Sequence, residues 1–392
     1  MPSNIIVAGG GIGGLATALA LSSQGHRIDL IEQAPAFAEI GAGVQLGPNA
    51  TRRLIAMGLG KPLAAIAAKP DALTVRSAAN NAVLARLPLG SVAEHRYRAP
   101  YYCAHRADLH ALLLKAVRAR KQVALSTGAR IVEVRRDDEF VCVASADARA
   151  WEGDALVGAD GLWSRVRQQV VEHDAPPRAT GHMAWRAIVS QQALPAALRC
   201  NGVEVWLGPK LHAVAYPVRG GRWLNVVVIA ESKPTGDVRD WDQASSLAAL
   251  QGATGRSGAG LQKLLEAMPA WRTWALSDRP PLKNADQMAS GRIALLGDAA
   301  HPMLPYLAQG AGMAIEDAVA LAEALGNTDA AGLPQAFARY ADARWQRNAR
   351  VQARAQRNGA IFHATGPVRL GRDVAMRVLG KALLDQPWLF QA

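Results

Sequence analysis

Apolar residues gather first in short unbroken runs near the start of the chain. Ile5 to Ala8 is one such run; a glycine turn, a small-residue stretch from Ile12 to Gln24 and a second run from Ile28 to Ile31 follow. Short apolar runs bounded by glycine predict buried strands, and the longer stretch between them predicts a helix. Strand, turn, helix and strand within about 30 residues form the unit in which parallel strands need a crossover. Two later runs share this character: Ala155 to Val157 before Gly158, and Ile293 to Leu296 before Gly297, each closing on glycine and aspartate. Ligands of an open parallel sheet bind beyond the carboxyl ends of its strands, so these ends can converge on one ligand although far apart in sequence.

The pattern changes between Thr180 and Pro280. Val203 to Leu207, Ala213 to Pro217 and Trp223 to Ile229 are rich in β-branched and aromatic residues, with Arg219-Gly220-Gly221 as a turn between the last two. This predicts an antiparallel sheet forming a second layer. From Gly312 onward the pattern is helical, with Glu316 to Leu325 followed by Ala336 to Arg357, whose arginines are expected on a solvated face. No internal repeat or low-complexity segment interrupts the chain.

Composition narrows the class. With 392 residues, half of them hydrophobic and 19% charged, the chain can bury the core of one large or two closely packed domains. The formal charge of +12 could attract nucleic acid, an anionic membrane or small anions. The arginines are scattered through predicted helices rather than clustered with aromatics, which favours a general field acting on an anionic substrate and cofactor. Cys103, Cys142 and Cys200 are widely separated, fitting neither a disulfide framework nor a metal-binding cysteine motif, so a reducing compartment and no metal are expected. Met1 to Asn4 carry no basic residue, five glycines break the apolar stretch that follows, and no window reaches the roughly 20 apolar residues of a membrane span. These features point to the cytoplasm.

Gly9, Gly11 and Gly14 supply a GxGxxG pattern, with Gly13 inside it, between the first strand and its helix. Glycines there allow a tight turn, backbone approach to a pyrophosphate and helix-strand packing, while the helix start offers free N–H groups to phosphates. Glu32 ends the second strand, where a carboxylate can accept both ribose hydroxyls of an adenosine and would repel a 2′-phosphate. The motif does not separate FAD from NAD. A second glycine-aspartate turn, Gly297-Asp298-Ala299-Ala300-His301-Pro302, closes another strand, and Gln309-Gly310-Ala311-Gly312 then opens a helix.

These motifs occur in order with Gly41 to Asn49 (GAGVQLGPN), His105 to Leu109 (HRADL), and Gly158-Ala159-Asp160-Gly161 with Ser164 and Arg167. Together they resemble the group A flavoprotein monooxygenases, the single-component aromatic hydroxylases similar to salicylate hydroxylase and 3-hydroxybenzoate 6-hydroxylase. The resemblance covers nearly the whole chain. It implies an α/β fold with an α+β substrate layer: a Rossmann-like FAD-binding domain of the glutathione-reductase-2 and aromatic-hydroxylase type, an antiparallel substrate-domain sheet and C-terminal helices. On that division, 1–75, 105–179 and 281–392 build the FAD-binding part, and 76–104 with 180–280 build the substrate part.

The resemblance further implies that Asp298 holds a ribityl hydroxyl, that Arg106 meets the ribityl-phosphate side, and that Gln45 lies beside the isoalloxazine ring. Asp160 and Gly161 look like the family's second dinucleotide motif, although an Asp-Gly pair is also a common turn. Pro302 would face the reactive ring, and the helix start at Gly310-Ala311-Gly312 would aim its positive end at reduced, anionic flavin. NADH or NADPH would reduce FAD, and a flavin C4a-hydroperoxide formed with O2 would oxygenate a small hydroxyaromatic compound. A monomer or homodimer with no nucleic-acid or membrane partner is expected. A dehydrogenase on the same fold, and a basic nucleic-acid-binding protein with a retained nucleotide fold, are the alternatives.

On the substrate side, His212, Val214 and Tyr216 lie at period two and share one face of a predicted strand. Histidine suits the deprotonation of a phenol, with tyrosine as hydrogen-bond partner, and a histidine and tyrosine of this spacing resemble the substrate contacts of 3-hydroxybenzoate 6-hydroxylases. The competing reading makes His212 a structural histidine and Tyr216 a core residue. His301 is the rival base but is expected to shape its turn. Pro305 departs from the glutamine of 3-hydroxybenzoate 6-hydroxylases, and Gln45 stands where 6-hydroxynicotinate hydroxylases resemble one another in having histidine. Trp185-Arg186 could offer a guanidinium to a substrate carboxylate, against the commoner case of an ion pair closing a sheet edge.

Overall fold

A computed structural model describes residues 2–37 and 42–391; Gly41 of the GAGVQLGPN motif lies outside them. The first apolar run forms the centre of a six-stranded sheet ordered Ala289–Ser290, Ile293–Leu295, Ala155–Gly158, Asn4–Ala8, Arg27–Ile31 and Val123–Ser126. All pairs are parallel except the edge hairpin of Ala289–Ser290 with Ile293–Leu295. The three strand ends expected to converge are therefore adjacent. The helix Ile12–Ser22 is buried along almost its whole length, which its glycine, alanine and leucine content permits. One crossover is not helical: Val123–Ser126 reaches Ala155–Gly158 through an antiparallel three-stranded meander, Ile131–Arg136, Val141–Ser145 and Ala150–Gly153.

The second layer is an eight-stranded sheet ordered Gln243–Ser245, Trp271–Asp278, Arg178–Ser190, Trp223–Glu231, Leu211–Val218, Val203–Gly208, Ala72–Ser77 and Val83–Pro88. It is antiparallel except where Val203–Gly208 runs parallel to Ala72–Ser77. Tyr102–His105 stays out of this sheet and pairs instead with Gly43–Leu46. Side chains alternate between its faces. Leu211, Ala213, Ala215, Val226 and Val228 pack against the helices Leu247–Thr254 and Ala259–Glu266. Val214, Tyr216 and Val218 face the other way, toward Met303, Met313 and the C-terminal helices. The helices Gly310–Leu325, Leu333–Phe362 and Gly366–Leu384 complete the fold. Among the described residues, no helix is long and apolar enough to cross a membrane.

Candidate active site

The N-terminal glycine turn is packed tightly enough to exclude side chains. Gly9 has φ of +107°, and a Cβ there would lie 2.3 Å from the Ala159 carbonyl oxygen; a Cβ on Gly14 would lie 1.9 Å from the Gly9 oxygen. One on Gly13 would meet the Leu296 side chain at 2.9 Å, so the first and third strand ends touch through this turn. Gly11 caps the following helix with no side-chain acceptor, and the first helical turn carries no acid, leaving its N–H groups to an incoming anion. Glu32 stands beside the turn, accepting from the amides of Gly10 and Ala34, each at 2.7 Å. The buried His110 ring lies 2.8 Å from the Gly10 carbonyl and holds the turn from behind.

The turn Gly297 to Pro302 is fixed by a buried ionic network. The Gly297 amide donates to Asp317 Oδ2 at 3.2 Å, and His301 Nε2 meets the same oxygen. Asp317 Oδ1 accepts from Arg344 Nε at 2.9 Å and Asn348 Nδ2 at 3.0 Å. Neighbouring Glu316 receives Arg344, Arg347 and Asn49. Burial alone would raise both carboxyls; Arg347 and Arg344 hold Glu316 below its usual range, and His301 and Arg344 hold Asp317 well below. Asp298 projects from this turn to the surface, its Oδ1 4.0 Å from where a Cβ on Gly310 would stand. Pro302 is buried at the turn's end. Gly310, Ala311 and Gly312 open the next helix with no side-chain cap and no acid in the first turn.

Asp160 spends its carboxylate within its own turn. Oδ1 accepts from the Ser164 hydroxyl at 2.6 Å and Oδ2 from the amides of Arg165 and Val166 at 2.7 and 3.1 Å. Burial pushes its carboxyl up despite these donors. Arg167 then ties this turn to the other, donating to the carbonyls of Ala299 and Ala300 at 2.9 and 2.6 Å while paired with Asp174 at 2.8 Å.

On the sheet side, Tyr216 packs directly on the strand that carries Gln45. A Cβ on Gly43 would lie 2.4 Å from Tyr216 Cε2 and 2.6 Å from its hydroxyl oxygen. Asn225, the cross-strand neighbour of Tyr216, accepts from the Gly43 amide at 2.8 Å. The buried Tyr101 hydroxyl donates to Gln45 Oε1 at 2.7 Å, so the Gln45 amide nitrogen keeps its donors. His212 is buried on the same sheet face as Tyr216, its Nδ1 2.9 Å from His363 Nε2, with the rings of Tyr306 and Phe362 at 5.2 and 5.4 Å. Burial, reinforced by His363 and His182, holds His212 well below the ordinary histidine range. The two candidate substrate residues do not touch. Four residues apart on one strand, they are separated by roughly 13 Å, with Val214 between them.

Comparison with known proteins places this geometry. The family model described as FAD binding domain matches residues 3–355. The 3-hydroxybenzoate 6-hydroxylase of Polaromonas naphthalenivorans (strain CJ2) is 39% identical over 373 residues, covering 94% of this chain and 90% of the relative. The chain belongs to the FAD-dependent aromatic monooxygenases. Among solved structures, a salicylate hydroxylase substrate complex is 26% identical with TM-score 0.84, covering 100% of this chain and 96% of that one. Klebsiella pneumoniae HpxO complexed with FAD and uric acid is 25% identical with TM-score 0.83, covering 96% and 92%. The residues of this monooxygenase suit its cofactor: two uncapped, acid-free helix starts and a glycine cradle lie at adjacent strand ends.

Membership sets aside the dehydrogenase and nucleic-acid alternatives, and other expectations need correction. Arg186 follows the ion-pair reading rather than offering itself to a substrate carboxylate: it is buried, paired with Asp242 and stacked at 5.2 Å over Trp274, the correction being that its strand is internal rather than an edge. Arg344, on the helix expected to present a solvated arginine face, is buried because Glu316 and Asp317 oppose it. Arg106 begins the helix Arg106–Arg118, its amide donating to the Ala42 carbonyl at 2.8 Å and its guanidinium 5.2 Å over the Trp241 ring. Tyr101, His110, Asn225, Tyr306 and His363 were not foreseen. Only Asn225 left a signal, as the one polar residue inside the apolar run Trp223 to Ala230.

Proposed function

We propose that this monooxygenase hydroxylates a small anionic hydroxyaromatic compound of the hydroxybenzoate or hydroxypyridine type, bound between the sheet face of His212 and Tyr216 and the strand of Gln45. The observation that carries this reading is the packing of Tyr216 on Gly43, which brings the sheet face against the segment expected beside the flavin. His212 and Tyr216 stand roughly 13 Å apart along the strand backbone, so a single substituted ring lying over Val214 would turn one polar group toward each.

In this reading, Gly9, Gly11, Gly13 and Gly14 with the first helix start receive the pyrophosphate, and Glu32 accepts from the adenosine ribose. Asp298 accepts from a ribityl hydroxyl, Arg106 serves the phosphate side, and Gln45, Pro302 and the Gly310-Ala311-Gly312 helix start border the ring. Asp160 acts from behind, shaping the turn that Arg167 joins to Ala299 and Ala300. When bound, FAD supplies electron transfer from NADH or NADPH and the activation of O2.

The protein's own task is the phenol. His212 Nε2, which makes no hydrogen bond among the described residues, accepts the phenolic proton while Nδ1 is held by His363. The Tyr216 hydroxyl, also without a partner among the described residues, donates to the substrate's oxygen or carboxylate. Removing the proton makes the ring electron-rich, the condition for electrophilic oxygenation. Burial of the site keeps water from the reacting centre. His301 is left out of this chemistry, since Asp317 occupies it.

The test is a screen of the yellow, FAD-loaded protein with hydroxybenzoates and hydroxypyridines, following stimulated NADH and NADPH oxidation with product analysis. A hydroxylated product from at least one class is expected. Protein that cannot be loaded with FAD, or NAD(P)H oxidation that no hydroxyaromatic stimulates, would overturn the reading.

A further inference from the structure

We propose that His182, Glu231 and His363 form a binding site for one divalent transition-metal ion of the zinc type, and that an ion bound there stops His212 from acting as a base. The second half rests on the role given to His212 above.

The three residues arrive from different parts of the fold. His182 and Glu231 face each other across adjacent strands, and His363 follows the long helix Leu333–Phe362, where the Lys210 amide fixes its carbonyl at 3.0 Å. One ligand atom from each lies within 4.8 Å of the other two. The donor set, two imidazoles and a carboxylate, is one that zinc accepts at ligand distances of about 2.0–2.2 Å. A second, independent observation points to a ligand. Nδ1 of His182 and Nδ1 of His363 are both buried without a hydrogen-bond partner, and the nearby Tyr306 hydroxyl is in the same condition. Buried polar atoms are nearly always satisfied, so such atoms gathered in one place call for a bound species.

His363 also has the arrangement expected of a metal ligand, whose second ring nitrogen is tied to a neighbouring group that orients it. Here that neighbour is His212 Nδ1, 2.9 Å from His363 Nε2. Two cations oppose the site. Lys210 Nζ lies 3.4 Å from Glu231 Oε2, and Arg372, which is paired with Asp373, lies beside His363 and donates to the Phe362 carbonyl.

The link to His212 is a matter of proton positions. A metal on His363 Nδ1 leaves that ring's only proton on Nε2, which must then donate to His212 Nδ1. Neutral His212 consequently carries its own proton on Nε2, the nitrogen that would have to accept from the phenol. Without the metal, the opposite tautomer pair is free to form and Nε2 is available.

The experiment is calorimetric titration of the tag-free, FAD-loaded protein with Zn2+, beside the variants His182→Ala, Glu231→Gln and Lys210→Ala, each checked for FAD content. The wild type should bind one ion per chain, with affinity weakened roughly 10-fold or more by either ligand variant and tightened by Lys210→Ala. Saturating Zn2+ should suppress hydroxylation in the wild type, while His182→Ala works normally in metal-free buffer and resists zinc. No saturable binding, or wild-type affinity in both ligand variants, would overturn the site. Binding that leaves hydroxylation unchanged would overturn its link to His212. His212→Ala in metal-free buffer separately reports whether His212 is the base.

Discussion

The Tyr216 ring fills the space where any other residue at position 43 would place its side chain. This contact joins the eight-stranded sheet to the strand of Gln45, so it should govern alignment rather than folding alone. Gly43→Ala would force Tyr216 or the strand to move, and displacements of about 1 Å in an active site can cost on the order of 100-fold in rate. The expected outcome is a loss of kcat/KM approaching that size, with more NAD(P)H consumed per product formed. Rate assays with product quantification check it, and unchanged coupling would contradict it.

Asp298 and Asp160 should respond differently to removal of their charge. Asp298 projects outward, whereas Asp160 satisfies three donors inside its own turn. Loss of one charge-assisted hydrogen bond is worth about 1.5–3 kcal/mol, so Asp298→Ala should weaken FAD roughly 10- to 100-fold. Asp160→Asn should lower the melting temperature of the apoprotein, because three donors of its own turn lose part of their acceptor. Flavin fluorescence titration and thermal unfolding of apoprotein separate the two effects.

The buried network supports a third expectation. Asp317→Ala leaves Arg344 buried with one carboxylate fewer and frees the Gly297 amide, a change that typically costs about 3–5 kcal/mol. Denaturant unfolding should register that loss together with poorer FAD retention. His301→Asn, in contrast, should leave the shape of the pH-rate profile unaltered if, as proposed, His301 held by Asp317 serves the turn and not the substrate.

Histidine burial sets the acid limit of the enzyme. His212 is held well below its ordinary value and His363 falls to about 3, burial being the main cause of both. A lowered histidine value keeps the folded form neutral while the unfolded chain takes up protons. Stability is therefore complete above the unfolded value of about 6.5 and falls as pH drops toward the folded values. Between pH 7 and 5.5 His363 should cost about 1 kcal/mol and His212 should act in the same direction, visible as a falling unfolding midpoint. Over the same range His212 should stay unprotonated, so hydroxylation should show no acid limb near 6.5; such a limb would contradict its lowered value.

Much of this arrangement is legible in the sequence because burial imposes period and composition. Ile5 to Ala8 and Ile293 to Leu296 announce a parallel sheet, and the period of His212, Val214 and Tyr216 places all three on one face. The meander between Ile131 and Gly153 was missed because its first strand is largely exposed, which mixes charged and apolar residues without a clear alternation. Other losses come from distance. His363 meets His212 from 151 residues away, and Arg344 looks like its solvated neighbours until the helix carrying Glu316 and Asp317 is laid beside it. Asp160 shows that a carboxylate in a glycine turn can serve the turn itself.

The most direct measurement of the central claim is hydroxylation of the preferred hydroxyaromatic substrate under isotopically heavy O2, comparing wild type with His212→Ala by mass spectrometry and product yield. The account expects one heavy oxygen atom in the wild-type product and a large loss of product, with FAD still bound, in the variant. Product oxygen derived from water, or full hydroxylation by His212→Ala with an unchanged pH profile, would contradict it.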